Sequence, residues 1–496
     1  MAAPGNQPIW FRVFPPEAEQ DTPFHGAASG PIRMPARDSP PILYFYLLFS
    51  LDLIKEFVKQ TNRYASDLYD RTRLQTGRFS RKCQWRKEGK LTISEFKAFL
   101  GVLFNMGLNR KSSIKEYWNR KNMSQSTPWF RMTFARNRFQ NVLKFLHIVD
   151  CKKIPARNNQ NYNPASRVKP LIDFVNRKFL YYYRPRRELS VDETLVGTKG
   201  KTAMLQYIPS KRSRFGIKFW VLAEAVTGYV LQMHIYLGKT FEPALPAGTL
   251  QGTNVVIKLL QSADLLNKWY HVFTDNFFSS LNLARTLLVQ RTHLTGTLRK
   301  NRPMPNMIKN ANPDPGQTTY ARQGNILLCS FREQNRRKQV KLVSTFYSAI
   351  RAMNAKPLIV NAYNNFMGGV DLSDQMMAFY NDHRKQTKVW KKIILHMFHR
   401  ILLNSYILYY QHTSHNPILT RFEFVKQVIE GLTEEHLSNR QQNPGQRQKI
   451  RKVTERKEKD CTVCSDRKNG RRRRARTECS RCAKGLHKLC VHRHEC

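Results

Sequence analysis

The stretch Tyr363–Met376, YNNFMGGVDLSDQM, sets two aspartates, Asp371 and Asp374, three residues apart behind a glycine pair. Two more aspartates sit at comparable places. Asp192 lies in the apolar run ELSVDE, and Asp275 follows Val-Phe-Thr in HVFTDNFF. An aspartate at a strand end or helix start usually caps or turns the chain. A carboxylate projected from the middle of a sheet is costly unless it is paired or bound to a cation. Carboxylates are natural Mg²⁺ ligands where a substrate supplies phosphates. A pair of such ions can activate a water or a 3′-hydroxyl and stabilise the leaving oxygen. Asp371 and Asp374 would share one helix face, one turn apart, and the glycine pair would let the backbone turn tightly before them. The four residues are far apart in the chain, so only a fold can bring them together.

A second chemistry is written at the end of the chain. Six of the nine cysteines fall in the last 36 residues. In a reducing compartment that clustering points to metal rather than to disulfides. Two CxxC knuckles, Cys461/Cys464 and Cys479/Cys482, are followed by His487, Cys490, His492, His494 and Cys496. Tetrahedral zinc needs four such ligands. An interleaved arrangement would form one site from Cys461, Cys464, His487 and Cys490. The other would use Cys479, Cys482 and two of His492, His494 and Cys496. One zinc with spare ligands is the alternative. So short a module has almost no core, and zinc would supply its folding energy.

The chain around these groups has 496 residues, with 84 Lys+Arg against 35 Asp+Glu and a formal charge of +49. Its length calls for two to four domains. That charge implies a polyanionic partner, and a phosphate backbone fits best; an anionic membrane surface is the weaker alternative. No secretory signal pattern opens the chain. The apolar run Ile42–Leu51 is too short to span a bilayer, and Ile393–Tyr410 contains His396, His399, Arg400 and Asn404, which reads as a buried helix. The expectation is a soluble, intracellular protein. Residues 447–476 hold 14 Lys+Arg against 4 Asp+Glu, a composition suited to DNA backbone, to nuclear localisation, or to both.

Elements that would position the site follow from periodicity. Residues 1–40, rich in Pro, Gly and Ala, read as a flexible arm. Residues 41–165 read as mainly helical; Thr92 and Glu95 form a capping box ahead of Ile93, Phe96, Phe99, Leu100, Leu103 and Phe104. From residue 187 the pattern predicts a strand, then a hairpin turning at Thr227-Gly228. A helix over 254–268, a short strand at His271–Phe278, a helix over 280–290 and a strand at HLTGTL come next. Meandering strands followed by β-α-β indicate a mixed α/β sheet. The polar stretch 299–355 interrupts it as an insertion, and the chain is helical from Asp374 to about 435.

The order and wording of these segments resemble the piggyBac family of DNA transposases. TNRYA, ELSVDE, MLQYIPSKRSRFGIKFWVLAEAVTGYV, FTDNFFSS, GTLRKNR, YNNFMGGVDLSDQM, KVWKK and the cysteine-rich tail appear in the family's order over residues 41–496. The resemblance implies an RNase H-like catalytic core, residues 166–298 and 356–380, interrupted by an insertion domain at 299–355. Helical dimerisation or DNA-binding regions at 41–165 and 381–440 would flank it. A basic linker at 441–460 would lead to a cross-brace zinc module at 461–496. It also implies that Asp192, Asp275 and Asp371 are catalytic, with Asp374 supporting a site of two Mg²⁺ ions. His494 best matches the family's closing histidine, and Cys496 would complete the second of two zinc sites. The implied activity is cut-and-paste transposition by a nuclear homodimer. Water nicks the transposon end, the freed 3′-hydroxyl makes a hairpin, and the reopened end joins a TTAA target. The family often carries a long acidic N-terminal region; here the arm before residue 41 is short, which weakens any inference about autoinhibition or assembly.

Basic clusters near these motifs are candidate DNA contacts: Lys211, Arg212, Arg214 and Lys218; Arg299, Lys300 and Arg302; and Arg384, Lys385, Lys388, Lys391 and Lys392 with Trp390 among them. A solvated charged face is the alternative for each cluster. Trp390 would either stack on an unpaired base or sit in the core. Two other readings compete with an active transposase. One is a domesticated relative that binds DNA or chromatin. The other, from the cross-brace tail, is a ubiquitin ligase or histone-tail reader, which leaves the preceding 400 residues without a role.

Overall fold

The computed structural model describes residues 9–12, 24, 28–76, 85, 89–209, 211, 213–245, 248–336, 338–352, 356–381, 386, 388–442, 450–453, 458–466, 469–479 and 482–494. Two compact units, Met1–Leu432 and Thr433–Cys496, make up the chain.

The first unit is built on a mixed nine-stranded sheet. Its strands are β1 (Glu188–Gly197), β2 (Leu205–Tyr207), β3 (Phe215–Glu224), β4 (Val230–Ile235), β5 (His271–Thr274), β6 (His293–Thr297), β7 (Thr318–Gln323), β8 (Ile326–Phe331) and β9 (Val340–Ser344). The path runs β2-β3-β1-β5-β6-β9-β8-β7, with β4 also on β3. β3 lies antiparallel to β1, whereas β5 and β6 run parallel to it. The hairpin turns at Gly228, φ 69°, where the Thr227 N–H donates to Glu224 Oε2 at 2.7 Å. The helix expected over 254–268 is α6 (Gln251–Ser262), after α1 (Pro41–Leu48), α2 (Leu51–Thr76), α3 (Ile93–Leu108), α4 (Arg136–Phe145) and α5 (Lys169–Tyr182). It stops early because Asp264, Asn267 and Trp269 take left-handed backbone. α7 (Leu281–Val289) begins at Ser280, whose hydroxyl accepts the Leu283 N–H.

The expected insertion, residues 299–355, carries β7, β8 and β9. Its three strands continue the central sheet, because β9 pairs with β6 and covers what would be an open edge. A small core of its own, Cys329, Phe331, Leu342, Ile359 and Val360, packs against Tyr363. The chain then forms α8 (Leu358–Phe366), α9 (Gly369–Phe379), α10 (Val389–His412) and α11 (Arg421–Gln442). α10, buried along most of its length, packs on α1, α5, α9 and β1. Aromatic rings of Phe45, Phe49, Phe57, Phe96 and Phe398 join it to the N-terminal helices. Thr92 caps α3 by accepting the Glu95 N–H, but the Glu95 carboxylate turns to Arg138 at 2.6 Å instead of closing a capping box. The described end of the expected flexible arm is docked: Gly30 and Pro31 pair with Arg184 and Tyr183.

Three buried histidines set an acid limit on this unit. Burial pushes His147 and His293 down to about 4 and holds His271 well below the usual range. A histidine kept neutral by the fold contributes stability that is complete above its unfolded value near 6.5 and lost as pH falls through the folded value. Stability should therefore fall steeply between about pH 6.5 and 4, by up to about 3 kcal/mol per histidine. Denaturant titrations across that window check this. A shallower profile in the His147→Gln/His293→Gln double variant, with His271 still buried, is the expected control.

Candidate functional site

Asp192 and Asp275 become neighbours through strand register. β1 and β5 are parallel, and their last paired residues are Val191 and Thr274, so the two aspartates follow side by side. Asp275 sits just past the strand, where its carboxylate accepts the Phe277 N–H at 2.8 Å. Ser279 donates through both its N–H and its hydroxyl to the Asp275 carbonyl, at 3.1 and 2.8 Å, fixing the turn. Asp192 accepts the Glu193 N–H at 2.7 Å.

Asp371 arrives from the other side on α9, which packs on β1 and β3. It lies exposed in the first turn of α9, where the helix dipole favours a negative charge. The N-cap is Gly368, and no side chain caps this end, so neither Asp371 nor Asp374 is a capping residue. The glycine pair works differently from the expected tight turn. Gly368 has φ −75°, open to any residue. A Cβ on Gly369 would come within 2.9 Å of the Glu224 carbonyl and of Ala225 Cα, so this glycine lets the helix lie against the sheet. The Ser190 hydroxyl pins the preceding turn by donating to the Met367 carbonyl at 2.6 Å.

Electrostatics identify the carboxylates as one cluster. Burial, then the charges of Glu193 and Asp275, push Asp192 up to about 8, against the opposing pull of Lys211. Burial lowers Lys211, but Asp192, Glu193, Asp371 and Asp374 together raise it above its usual value. Lys211 lies 4.0 Å from the Glu193 carboxylate and donates to its carbonyl at 3.2 Å. Tyr363 is pushed up to about 12 by burial and then by Asp275, Asp192 and Asp371; its hydroxyl is 3.5 Å from Thr297 Oγ1. A lysine therefore faces several carboxylates. This all-oxygen, surplus-negative set suits a hard divalent cation. The carboxylates themselves are spread, and no three of them come within 4.8 Å of one another. Like charges hold one another apart.

Asp374 is engaged differently. Arg400 donates to its Oδ1 at 2.7 Å and the Thr194 hydroxyl to its Oδ2 at 2.9 Å. A cleft of about 530 Å³ opens beside it, lined by Thr194, Lys211, Ser213, Asp374 and Lys392.

The basic candidates separate into distinct settings. Arg214, Arg299, Lys300 and Lys388 are exposed. Arg299 is held by the Asn276 side-chain oxygen at 2.7 Å, immediately after Asp275. Arg302 donates to the Phe277 carbonyl at 2.8 Å. Lys218 is half-buried, its ammonium 3.8 Å from the Trp220 ring centre. Trp390 is half-buried against His147, ring centres 4.6 Å apart. Lys391 does not reach solvent: it is buried and donates to the Leu143 and Lys144 carbonyls at 2.7 and 2.5 Å, closing the end of α4. Arg212, Arg384, Lys385 and Cys496 lie outside the described residues, as does the side chain of His492. Glu193, Tyr363 and Arg400 were not among the expected site residues. Glu193 adjoins Asp192, Tyr363 opens the Asp371 motif, and Arg400 breaks an apolar run.

The second unit brings together two groups of ligand atoms within 4.8 Å. One is Cys461, Cys464, His487 and Cys490; the other is Cys479, Cys482 and His494. The first and third ligand pairs share one group while the second pair joins His494, which is the interleaved order. Strand Ile450–Lys452 pairs with Thr477–Cys479, and Lys459–Asp460 pairs with Arg474–Ala475. His487 turns Nδ1 to Cys464 Sγ at 3.2 Å, leaving Nε2 on the Arg474 carbonyl at 2.8 Å. His494 turns Nε2 to Cys482 Sγ at 3.2 Å, with Nδ1 3.3 Å from the Thr462 hydroxyl in the first knuckle. Burial raises Cys461, but the N–H groups of His487, Val463 and Cys464 outweigh it and bring the thiol to about 6. Burial and then the neighbouring sulfurs push Cys490 up to about 11, a repulsion that a cation would relieve. The donor sets fit a thiophilic divalent ion.

Comparison with known proteins agrees with this geometry. A family model described as Transposase IS4 matches residues 40–406. PiggyBac transposable element-derived protein 3 of Homo sapiens is 27% identical over 372 residues, covering 70% of this chain and 60% of that protein. PiggyBac transposable element-derived protein 5 of Homo sapiens is 23% identical over 442 residues, covering 85% and 80%. A cryo-EM structure of a piggyBac transposase synaptic complex with hairpin DNA superposes with TM-score 0.74 at 24% identity, covering 93% of this chain and 98% of that one. The chain belongs to the piggyBac transposase family. It spans less than two thirds of the length of the first of these relatives.

Proposed function

We propose that this chain is a metal-dependent DNA transposase that excises and inserts DNA by cut-and-paste phosphoryl transfer. The observation that carries the proposal is the convergence of Asp192, Asp275 and Asp371, from distant segments, around Lys211 and Tyr363. The strand order β4-β3-β1-β5-β6, three antiparallel strands followed by two parallel to β1, supports an RNase H-like label for the core. Asp192, Asp275 and Asp371 would hold two Mg²⁺ ions, with Asp374 supporting them. Bound there, such ions supply charge stabilisation of the attacking and leaving oxygens.

The chain's own groups do the rest. Arg299, oriented by Asn276, reaches toward a phosphate beside Asp275. Lys211 offsets the carboxylates before the substrate enters. The net charge of +49 draws duplex DNA to the surface. Water attacks first at the transposon end; the freed 3′-hydroxyl then attacks the opposite strand, leaving a hairpin that is reopened before joining at TTAA. Each step breaks one P–O bond and forms another in line. The same reading makes the protein a nuclear homodimer whose tail, holding two Zn²⁺ ions, binds the transposon end. Among the described residues no helix is long and apolar enough to cross a membrane.

A second reading has a specific support: the matched human proteins are named as transposable element-derived. On that reading the chain binds DNA or chromatin without moving it. Plasmid excision in cells separates the two. A donor carries the gene's genomic flanks bounded by TTAA, and wild type is compared with Asp371→Asn. Seamless TTAA repair with wild type alone is the expected result. Binding to those flanks with excision by neither protein favours the domesticated reading.

A further inference from the structure

We infer that Arg400 is a positioning residue for the carboxylate site, and that Asp374 serves the site as the anchor of its helix through Arg400 rather than as an ion ligand. This rests on the reading of the cluster given above. Arg400 sits in the middle of α10 with its side chain wholly buried, against 31% exposure for Asp374. Its guanidinium donates to Asp374 Oδ1 at 2.7 Å and to the Ser373 hydroxyl. The Thr194 hydroxyl takes Oδ2 at 2.9 Å. Both carboxylate oxygens are therefore occupied by groups of the protein itself. The guanidinium is a cation of the chain itself, resident whether or not metal is present. It also repels a divalent ion approaching Asp374. Asp371, one turn earlier, remains exposed and feels Lys211 only through the shared field of the cluster.

What the pair achieves is register. Thr194 lies two residues beyond Asp192 on β1, so both project from the same face of the strand. The link Arg400–Asp374–Thr194 ties α9 to the strand that carries the first aspartate and so fixes Asp371 relative to Asp192. Two more arginines hold the far end of α9. Arg110 donates to the Ala378 and Phe379 carbonyls at 2.5 and 2.7 Å, and Arg421 donates to the Met376 carbonyl. Cations are favourable at that end of a helix dipole. Three guanidiniums, from just after α3, from α10 and from the start of α11, converge on one eleven-residue helix. A buried ion pair is a poor device for raw stability but a good one for selecting a single arrangement. Displacement of a reacting group by about 1 Å can cost about a hundredfold in rate.

The test uses full-length Asp374→Asn, Arg400→Gln, their double variant and Asp371→Asn. Three readouts are taken: thermal unfolding, single-turnover DNA strand cleavage, and Mn²⁺ binding followed by the electron paramagnetic resonance of free Mn²⁺. Each single variant at 374 and 400 should melt several degrees lower and cleave about 10- to 100-fold more slowly. The double variant, in which two neutral amides restore the pairing, should recover both to near wild type. Mn²⁺ affinity should hold in Asp374→Asn and in the double variant and fall at least about tenfold in Asp371→Asn. Loss of Mn²⁺ binding in Asp374→Asn equal to that in Asp371→Asn, without recovery in the double variant, makes Asp374 a ligand and overturns the inference. Additive melting shifts with no coupling between 374 and 400 overturn it as well. If wild type binds no Mn²⁺, the ion-site reading itself falls, and the melting cycle still decides whether the anchor exists.

Discussion

Asp275→Asn is expected to abolish strand cleavage and to leave DNA binding intact. The substitution is isosteric, and the amide oxygen can still accept the Phe277 N–H, so the turn after β5 keeps its shape. Only the charge is lost. Binding to DNA is dominated by phosphate contacts with cations, and removing one negative charge from a basic surface does not weaken it. On the proposed reading, catalysis depends on that charge because the cluster would gather divalent cations against an anionic substrate. The expected fall in cleavage rate is about 10³- to 10⁴-fold, the size seen when an essential group is neutralised. Purified full-length protein, labelled duplex carrying the gene's flanking ends, and a parallel gel-shift give both numbers. Cleavage within tenfold of wild type would remove Asp275 from the active centre.

Zinc removal is expected to unfold the second unit and to spare the first. Among the described residues the buried apolar core of the tail is Cys461, Ala475, Cys479 and Leu486, and two of those four belong to the candidate ligand groups. That is far too little apolar surface to offset the ordering of its chain. A structural zinc site contributes about 10–16 kcal/mol in peptides of this kind. Thr462 ties the two groups, since it sits in the first knuckle and touches His494 of the second, so losing either ion should loosen both. Chelation of the full chain should therefore render residues 433–496 rapidly cleavable by protease and shift only that unit's amide resonances. The melting of residues 1–432 should stay where it was. Elemental analysis should return two zinc per chain before chelation. A tail that keeps its protease resistance without metal would rule out zinc as its source of stability.

Much of the site could be read before any coordinates. Asp275 and Asp371 stood out because each sits where an apolar run gives way to a turn or a helix, and Asp192 because it interrupts an apolar strand; CxxC spacing suggested the interleaved order of the tail. The hairpin at Thr227-Gly228, the strand before Asp275 and the helix capped by Thr92 were equally legible, since each depends on neighbours within a few residues. The roles of particular groups were less so. Lys391 looks like a phosphate contact in a basic run, yet it closes the end of α4, more than two hundred residues away in sequence. Gly369 looks like a turn glycine, but its lack of a side chain matters because a strand lies against it. The stretch after residue 299 reads as an insertion, and the sequence does not show that its strands extend the central sheet.

The sequence by itself determined the local periodicities, the identity of the donors and the excess of positive charge, because these depend on residue type and on spacings within a turn or a strand pair. Only the tertiary structure decided which carboxylates share one field, that Asp374 is held by Arg400 and Thr194, and that Tyr363 and Lys211 face the other aspartates. Those relations join segments separated by up to two hundred residues. Such contacts are fixed by strand register and helix packing, and neither leaves a trace in the spacing of the residues that meet.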